Sequence, residues 1–202
     1  MKTALITCGA LGREVLALVR KHGWDADVIG ITAHHHLFPE RIAPDVEARL
    51  LHLRGLYDQV IVVFGDCGSY GALDQVLQKH NIPRLAGDHC YEFYSGERFQ
   101  RWLDEEPGTF FLTDFLVRTF DRTIIKNMGL DRHPELKQDY FRHYRRVIYL
   151  AQTQEAGLFE KAQAAADYLG LPLQIEHSGY HRLEAQLVAL MTVTAPEQMR
   201  SA

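Results

Sequence analysis

The sequence predicts an α/β fold, with a mostly parallel open sheet, helices on both faces and a helical insertion. Short apolar runs of strand length alternate with segments in which apolar residues recur every three or four positions. This alternation is typical of strands that alternate with helices. The strongest run, residues 59–64, is apolar and mostly β-branched after its first residue. Such continuous runs indicate parallel strands that are covered on both faces.

Each further element is predicted from an apolar run for a strand or from helical spacing for a helix. The predicted strands are 4–7, 28–32, 59–64, 82–86, 147–151 and 173–176. The predicted helices are 11–22, one that begins near Pro39, 70–80, 95–105, 113–122, 134–144, 158–169 and 180–191. We expect one domain over residues 1–202, with a helical embellishment at about 96–144.

The composition limits the possible partners. Apolar residues make up 47% of the 202 residues, which is enough for a core without disulfide bonds. The formal net charge of −4 argues against nucleic acid and against an anionic membrane surface, because phosphates call for a basic face. No stretch approaches the ~20 apolar residues of a membrane span. Arg13 and Glu14 interrupt the apolar start, unlike a secretory signal. We therefore expect a cytoplasmic protein.

Three cysteines each follow a predicted strand and each lie in a loop that contains glycine. They are Cys8, Cys67 and Cys90. Because the carboxyl ends of parallel strands form one edge of a sheet, where ligands bind, we expect the three thiols to converge on one site. An odd number of cysteines in a reducing compartment is a poor basis for disulfides. Thiolates instead suit iron–sulfur clusters and zinc.

The predicted cofactor is a [4Fe–4S] cluster held by the three thiolates, with one iron left open. Zinc is the alternative, and it needs a fourth ligand, for which His89 or His36 is available. The spacing matches no compact zinc module, because the sequence contains no Cys-x-x-Cys pair. A third interpretation makes Cys67 or Cys8 a nucleophile whose pKa is lowered at a helix N-terminus.

The same loops allow a metal-free function. Gly9 and Gly68 precede predicted helices, and N–H groups exposed at such turns bind anions. A module that binds an anion or a small cofactor is therefore an alternative to a metalloprotein. Tyr70, in the Gly68 loop, is a candidate residue for that cofactor. The candidates for a general acid or base are Asp66, His89 and Glu92.

Arg132 is a further candidate for the cofactor site. It stands in a charged stretch just before a predicted helix, where ordinary helix capping is the alternative explanation. It lines the sheet edge if the helical embellishment folds over that edge. Capping of the following helix is also the alternative to catalysis for Asp66.

Several phrases share one pattern. They are ITCGAL (6–11), HLFPERI (36–42), GDCG (65–68), HCYEF (89–93), FFLTDF (110–115), LDRHPEL (130–136) and YLAQT (149–153). Together they resemble a bacterial and archaeal family catalogued as a domain of unknown function, over about residues 3–185. The His-x-x-Pro phrase singles out His36 among its neighbouring histidines as a candidate for cofactor binding. Where that family has Cys-Gly-Thr-Gly-Gly, this chain has Tyr70 in the fourth position.

Members of that family often accompany corrinoid-dependent methyltransferases and their reductive activation machinery. The resemblance therefore implies a role in one-carbon or cobalamin metabolism, without assigning a reaction. It also implies that proteins of a corrinoid methyltransferase system are partners of this chain.

Overall fold

The computed structural model describes residues 1–192 and has an α/β fold, as predicted. The elements in chain order are β1 (Thr3–Cys8), α1 (Gly12–His22), β2 (Ala26–Ile31), α2 (Ile42–Leu53), β3 (Gln59–Val63), α3 (Ala72–His80), α4 (Cys90–Ser95), α5 (Arg98–Glu105), β4 (Thr109–Thr113), α6 (Asp114–Phe120), α7 (Leu136–Phe141), β5 (Arg146–Ala151), α8 (Leu158–Leu169), β6 (Leu173–His177) and α9 (His181–Thr192). None of the helices in this described part of the chain has the length and apolar character that a membrane crossing requires.

Two compact units make up the described chain. The first contains Met1–Cys90 and α9, and the second contains Tyr91–Tyr180. The prediction of one domain over residues 1–202 stays a prediction, and residues 193–202 lie outside the described residues.

The first unit has a three-stranded parallel sheet in the order β2-β1-β3. Leu5 of β1 aligns with Val28 on one side and with Ile61 on the other. Every residue of β1 and β3 is buried, as the continuous apolar run predicts for strands covered on both faces. Because all three strands run the same way, the chain leaves each of them at one edge of the sheet.

Helices cover the first sheet through regularly spaced apolar residues. Val15 and Leu18 of α1 are fully buried, and α9 contributes Leu183 and Leu187. The buried residues of α2 are Ile42, Ala43, Val46, Leu50 and Leu53. This spacing of three and four residues gives one apolar face, which explains why the sequence pattern predicted these helices.

The second unit has its own three-stranded parallel sheet, in the order β4-β5-β6. Its core lies between this sheet and helices α6 and α8. The buried residues of that core include Leu112, Val117, Phe120, Val147, Tyr149, Leu158, Ala162 and Ala166. After α6 the backbone continues as a π-helical segment, Asp121–Lys126.

The structure differs from the predicted elements in four places, one of which is the short helix α4, Cys90–Ser95, that was not predicted. The strands form two sheets rather than one. Strand β4 was not predicted and lies inside the segment 96–144, because its aromatic run fits a helix or a strand equally well. Residues 82–86 contribute only an isolated bridge between Val62 and Arg84. Pro83 has no N–H group to donate to a longer ladder.

A fully buried carboxylate, Asp114, ties β4 to the loop that follows β5. Its Oδ1 accepts hydrogen bonds from the Tyr149 hydroxyl at 2.7 Å and from the Gln152 N–H at 3.0 Å. Its Oδ2 accepts from the Thr153 N–H at 3.1 Å and hydroxyl at 2.5 Å. The Arg118 guanidinium lies 3.4 Å from Oδ2. Burial, together with the Asp114 carboxylate, raises the pKa of Tyr149, so this phenol stays a donor.

We predict that Asp114→Ala lowers the free energy of unfolding by about 3–5 kcal/mol, because several buried donors lose their acceptor at once. Urea denaturation measures this change. The matched control is Asp121→Ala, which removes an exposed partner of Lys126 and costs less than about 1 kcal/mol. Similar losses for the two variants would contradict the structural role of Asp114.

Candidate functional site

Cys8 is the last residue of β1, and its thiol is buried at the sheet edge. The residue is 2% exposed, and its Sγ accepts a hydrogen bond from the Ala10 N–H at 3.4 Å. The turn that follows is closed by Leu11 N–H, which donates to the Cys8 carbonyl at 2.8 Å. The N–H of Gly9 donates to the Ile31 carbonyl at 2.8 Å. The donors of this turn therefore face acceptors inside the protein.

Cys67 lies in the loop between β3 and α3, in a left-handed backbone conformation with φ of 49°. Tyr70 in the same loop has φ of 52°. Such conformations are costly for residues other than glycine and persist only where surrounding contacts impose them. Two left-handed non-glycine residues in one loop mark it as a segment that is held in a fixed shape.

Asp66 supplies contacts that hold the Cys67 loop. Its carboxylate accepts hydrogen bonds from the Ser69 hydroxyl at 2.6 Å, the Tyr70 N–H at 3.0 Å and the Gly71 N–H at 2.8 Å. Desolvation opposes ionisation of Asp66, yet these hydrogen bonds lower its pKa below the ordinary value. Both carboxylate oxygens hold the loop before α3, and α3 itself has no side-chain cap.

The Cys67 loop lies directly against the segment that leads to Cys90. The Cys67 N–H donates to the Asp88 carbonyl at 2.8 Å. A Cβ atom at Gly65 would lie 2.7 Å from that same carbonyl oxygen, so only glycine permits the approach. The backbone N–H of Cys90 in turn hydrogen-bonds to the Cys67 sulfur. Two of the three cysteine loops are therefore joined by backbone contacts.

Arg84 fixes the segment before Cys90. Its Nη1 donates to the carbonyl oxygens of Leu85 at 2.8 Å and Gly87 at 2.9 Å. Its Nη2 donates to the Asp74 carboxylate of α3 at 2.9 Å. The guanidinium charge also acts to lower the pKa of Cys67. Sequence analysis missed this residue, although a charged side chain within the apolar stretch 82–86 was a signal for a buried role.

The thiols of Cys8 and Cys67 are both shielded from solvent, and they interact electrostatically. Burial raises the pKa of Cys8 to about 12, and the charge of Cys67 acts in the same direction. Burial also raises the pKa of Cys67 to about 11, against hydrogen bonds from Gly65 and Cys90. The interpretation of either thiol as a nucleophile with a lowered pKa is therefore wrong. Both precede their helices by four or more residues, whereas the helix dipole acts within about one turn.

Two histidine rings of the 34–36 run are held by hydrogen bonds, His35 by Asp45 and His36 by a backbone carbonyl. The His36 Nδ1 donates to the Ala33 carbonyl at 2.9 Å, and its ring stacks on Phe64 with centroids 6.1 Å apart. Desolvation of the ring lowers the pKa of His36, and the charge of His89 acts in the same direction. The residue as a whole is exposed. In the neutral ring, Nδ1 carries the proton that bonds to Ala33 and Nε2 carries the lone pair.

The remaining predicted residues are placed as follows. His89 is exposed, and its charge reaches His36. Gly68 lies against Pro39, and a Cβ added there would be 3.4 Å from the Pro39 Cγ. Tyr70 is 95% exposed. Two candidates belong to the second unit: Glu92 in the first turn of α4, and Arg132, whose side chain is 74% exposed.

The structure thus brings Cys8, Cys67 and Cys90 to one edge of the first sheet, and the charge of His89 acts on His36. Within residues 1–192, no group of three or more histidine, cysteine, aspartate or glutamate side chains is arranged to hold a metal ion. The metal and cofactor roles of these residues remain predictions.

The fold and this edge define an α/β protein in which Cys8 ends a strand and Cys67 follows one. Cys90, expected after a strand, is instead the first residue of α4, because residues 82–86 form only a bridge. The chain belongs to the family described as "Protein of unknown function (DUF1638)", whose sequence profile matches residues 31–187. The predicted resemblance to a family of unknown function is confirmed. The match includes His36, Cys67 and Cys90, whereas Cys8 precedes it. A comparison with curated proteins gives no match.

We predict that Arg84→Gln speeds hydrogen exchange of the amides in residues 85–90 about tenfold, because the charge-assisted bonds to two carbonyls are lost. Exchange followed by mass spectrometry measures this. Arg20→Gln, on the exposed side of α1, is the matched control and leaves the segment unchanged. Unaltered hydrogen-exchange protection of residues 85–90 in Arg84→Gln would contradict this role of Arg84.

We predict that Cys67 in the metal-free protein reacts with iodoacetamide at least about tenfold more slowly than in the urea-unfolded chain, because only the thiolate attacks. Peptide mapping gives the rate. The rate rises from about pH 7 to about pH 10 without a plateau, since a pKa raised from 9.0 to about 11 keeps the thiol protonated there. A plateau near the ordinary pKa would contradict the shift.

Proposed function

We propose that the chain is a cytoplasmic metalloprotein that binds a [4Fe–4S] cluster through Cys8, Cys67 and Cys90. The observation that carries this proposal is that backbone N–H groups are directed at the thiol sulfurs. Ala10 donates to Cys8 at 3.4 Å, and Gly65 and Cys90 donate to Cys67. Hydrogen bonds to sulfur favour the thiolate form and tune the potential of iron–sulfur clusters.

The charge balance of the edge also supports a metal. Without a cation, burial keeps the Cys8 and Cys67 thiols protonated, whereas a metal ligand is a thiolate. A bound cluster would offset the cost of desolvating two thiolates, and binding would release their protons. The Arg84 guanidinium, which is paired with Asp74, acts to lower the pKa of Cys67, but the Asp66 carboxylate acts more strongly to raise it. The protein itself therefore does not supply the charge that a thiolate needs.

The donor set fits a cluster in chemical type, since three thiolates can hold three of its four irons. The sulfurs do not form a ready-made metal group in residues 1–192. The proposal therefore requires them to move closer when the cluster binds. A cluster held in this way supplies either an electron or an open iron that acts as a Lewis acid.

Zinc is the second candidate, and the orientation of His36 favours it. Histidines that bind metals usually donate their other ring N–H to a carbonyl or carboxylate. His36 donates Nδ1–H to Ala33 and keeps Nε2 as an acceptor. Three thiolates and one imidazole are a common ligand set for structural zinc. In the cluster alternative, His36 is a candidate neighbour of the open iron.

We further propose that the partners are proteins of a corrinoid-dependent methyltransferase system. The support for this partner is the sequence resemblance alone. The proposed cluster would supply an electron or an open iron. Either property is compatible with a role in the reductive activation of a corrinoid.

We predict that anaerobically purified protein contains about four iron and four sulfide per chain and absorbs broadly in the visible region. Each of Cys8→Ala, Cys67→Ala and Cys90→Ala loses this cluster, whereas Ser69→Ala in the same loop retains it. Metal analysis and absorption spectroscopy measure both properties, and circular dichroism confirms that each variant is folded.

The other outcomes separate the alternatives. Colourless protein with about one zinc per chain, lost in His36→Ala but not in the control His22→Ala, would replace the cluster by zinc. Metal-free protein whose three cysteine variants fold normally would overturn both metal proposals. That last result would favour the module that binds an anion or a small cofactor.

A further inference from the structure

A cleft lies in the first unit between the last turn of α2, the start of β3 and the end of α3. It has a volume of about 230 Å³ and is lined by Leu50, Leu51, Arg54, Val60, Lys79, His80, Asn81 and Ile82. Cys8, Cys67 and Cys90 are not among the residues that line this cleft. Four aliphatic side chains make up one part of its wall, and four polar side chains make up the other.

The polar wall has an excess of positive charge. Lys79 and His80 both bond to Glu47 Oε1, each at 2.8 Å, so one carboxylate is shared between two basic groups. The hydrogen bonds from these groups lower the pKa of Glu47, which therefore stays ionised. Within residues 1–192 the structure gives the Arg54 side chain no hydrogen bond or ion pair, so its guanidinium is the uncompensated charge.

The C-terminal ends of α2 and α3 both lie at the cleft. The C-terminus of a helix carries a partial negative charge on its unsatisfied carbonyls. At the end of α3, however, Asn81 N–H donates to the Gln78 carbonyl at 3.1 Å, and Ile82 N–H donates to the Leu77 carbonyl at 2.9 Å. This cap satisfies two carbonyls of α3, which reduces the negative charge that the end of α3 presents to the cleft.

We propose that this cleft binds a small organic carboxylate with a short hydrocarbon body. The carboxylate oxygens accept hydrogen bonds from Arg54, and the hydrocarbon part packs on Leu50, Val60 and Ile82. A volume of about 230 Å³ equals roughly eight water volumes of ~30 Å³, which suits a ligand of about eight non-hydrogen atoms. The proposal is independent of the metal site.

The test is calorimetric or NMR titration of the whole chain with hexanoate, and with hexanamide as a neutral ligand of the same size. We expect saturable binding of hexanoate in the millimolar range, with hexanamide at least about tenfold weaker. Arg54→Gln weakens hexanoate binding about tenfold, and Arg54→Lys weakens it less because the charge remains. Arg54 is exposed, so these variants keep the fold.

The matched control is Arg49→Gln on the same helix, where the guanidinium pairs with Asp45. This variant binds hexanoate as the unmodified chain does. Equal affinity for hexanoate and hexanamide, an unaltered affinity in Arg54→Gln, or no saturation with hexanoate would each overturn the proposal.

Discussion

The parallel pairing of β1 with both of its neighbours is the constraint on which the candidate site depends. Because β2 and β3 run in the same direction as β1, the chain leaves all three strands at one edge. Cys8 ends β1 and Cys67 follows β3 by four residues, so both thiols lie at that edge. An antiparallel pair would have sent them to opposite ends of the sheet. The contacts between Gly65, Cys67 and Asp88 then add the loop that leads to Cys90.

Sequence patterns predicted those features that depend on local spacing. The run 59–64 could be assigned as a strand because a strand that is buried on both faces has a continuous apolar sequence. Helices α1 and α2 could be assigned because their apolar residues recur on one face. The division into two sheets depends on long-range pairing, and no local pattern encodes it. The position of Cys8 and Cys67 at one edge could be inferred because the sequence predicted parallel strands before both residues. The charge of Arg84 within an apolar stretch is a sequence signal for a buried role, but its partners, two backbone carbonyls and Asp74, depend on the folded structure.

Two opposing effects act on the thiols at this edge. Burial stabilises the neutral form of Cys8 and Cys67, and the Asp66 charge adds to this effect at Cys67. The N–H groups directed at the two sulfurs stabilise the thiolate, as does the smaller effect of the Arg84 charge on Cys67. Burial is the larger effect in the metal-free chain, since the pKa of both thiols is raised. N–H groups at this edge are arranged to stabilise a thiolate, but the protein does not supply enough positive charge to ionise the thiol. Such a site is suited to a bound metal, which brings the missing positive charge. A reactive cysteine would require the opposite balance.

In the second unit, groups of the protein itself occupy the corresponding edge of the sheet. There, Asp114 follows β4 directly, and Tyr149, Gln152 and Thr153 saturate its carboxylate. Such a network stabilises the unit and leaves few groups for a ligand. At the edge of the first unit, the side chains are thiols and an imidazole, and His36 keeps its Nε2 as an acceptor. The protein thus satisfies the buried Asp114 carboxylate itself, as is normal for buried polar groups, whereas the edge of the first unit presents thiols and an exposed imidazole.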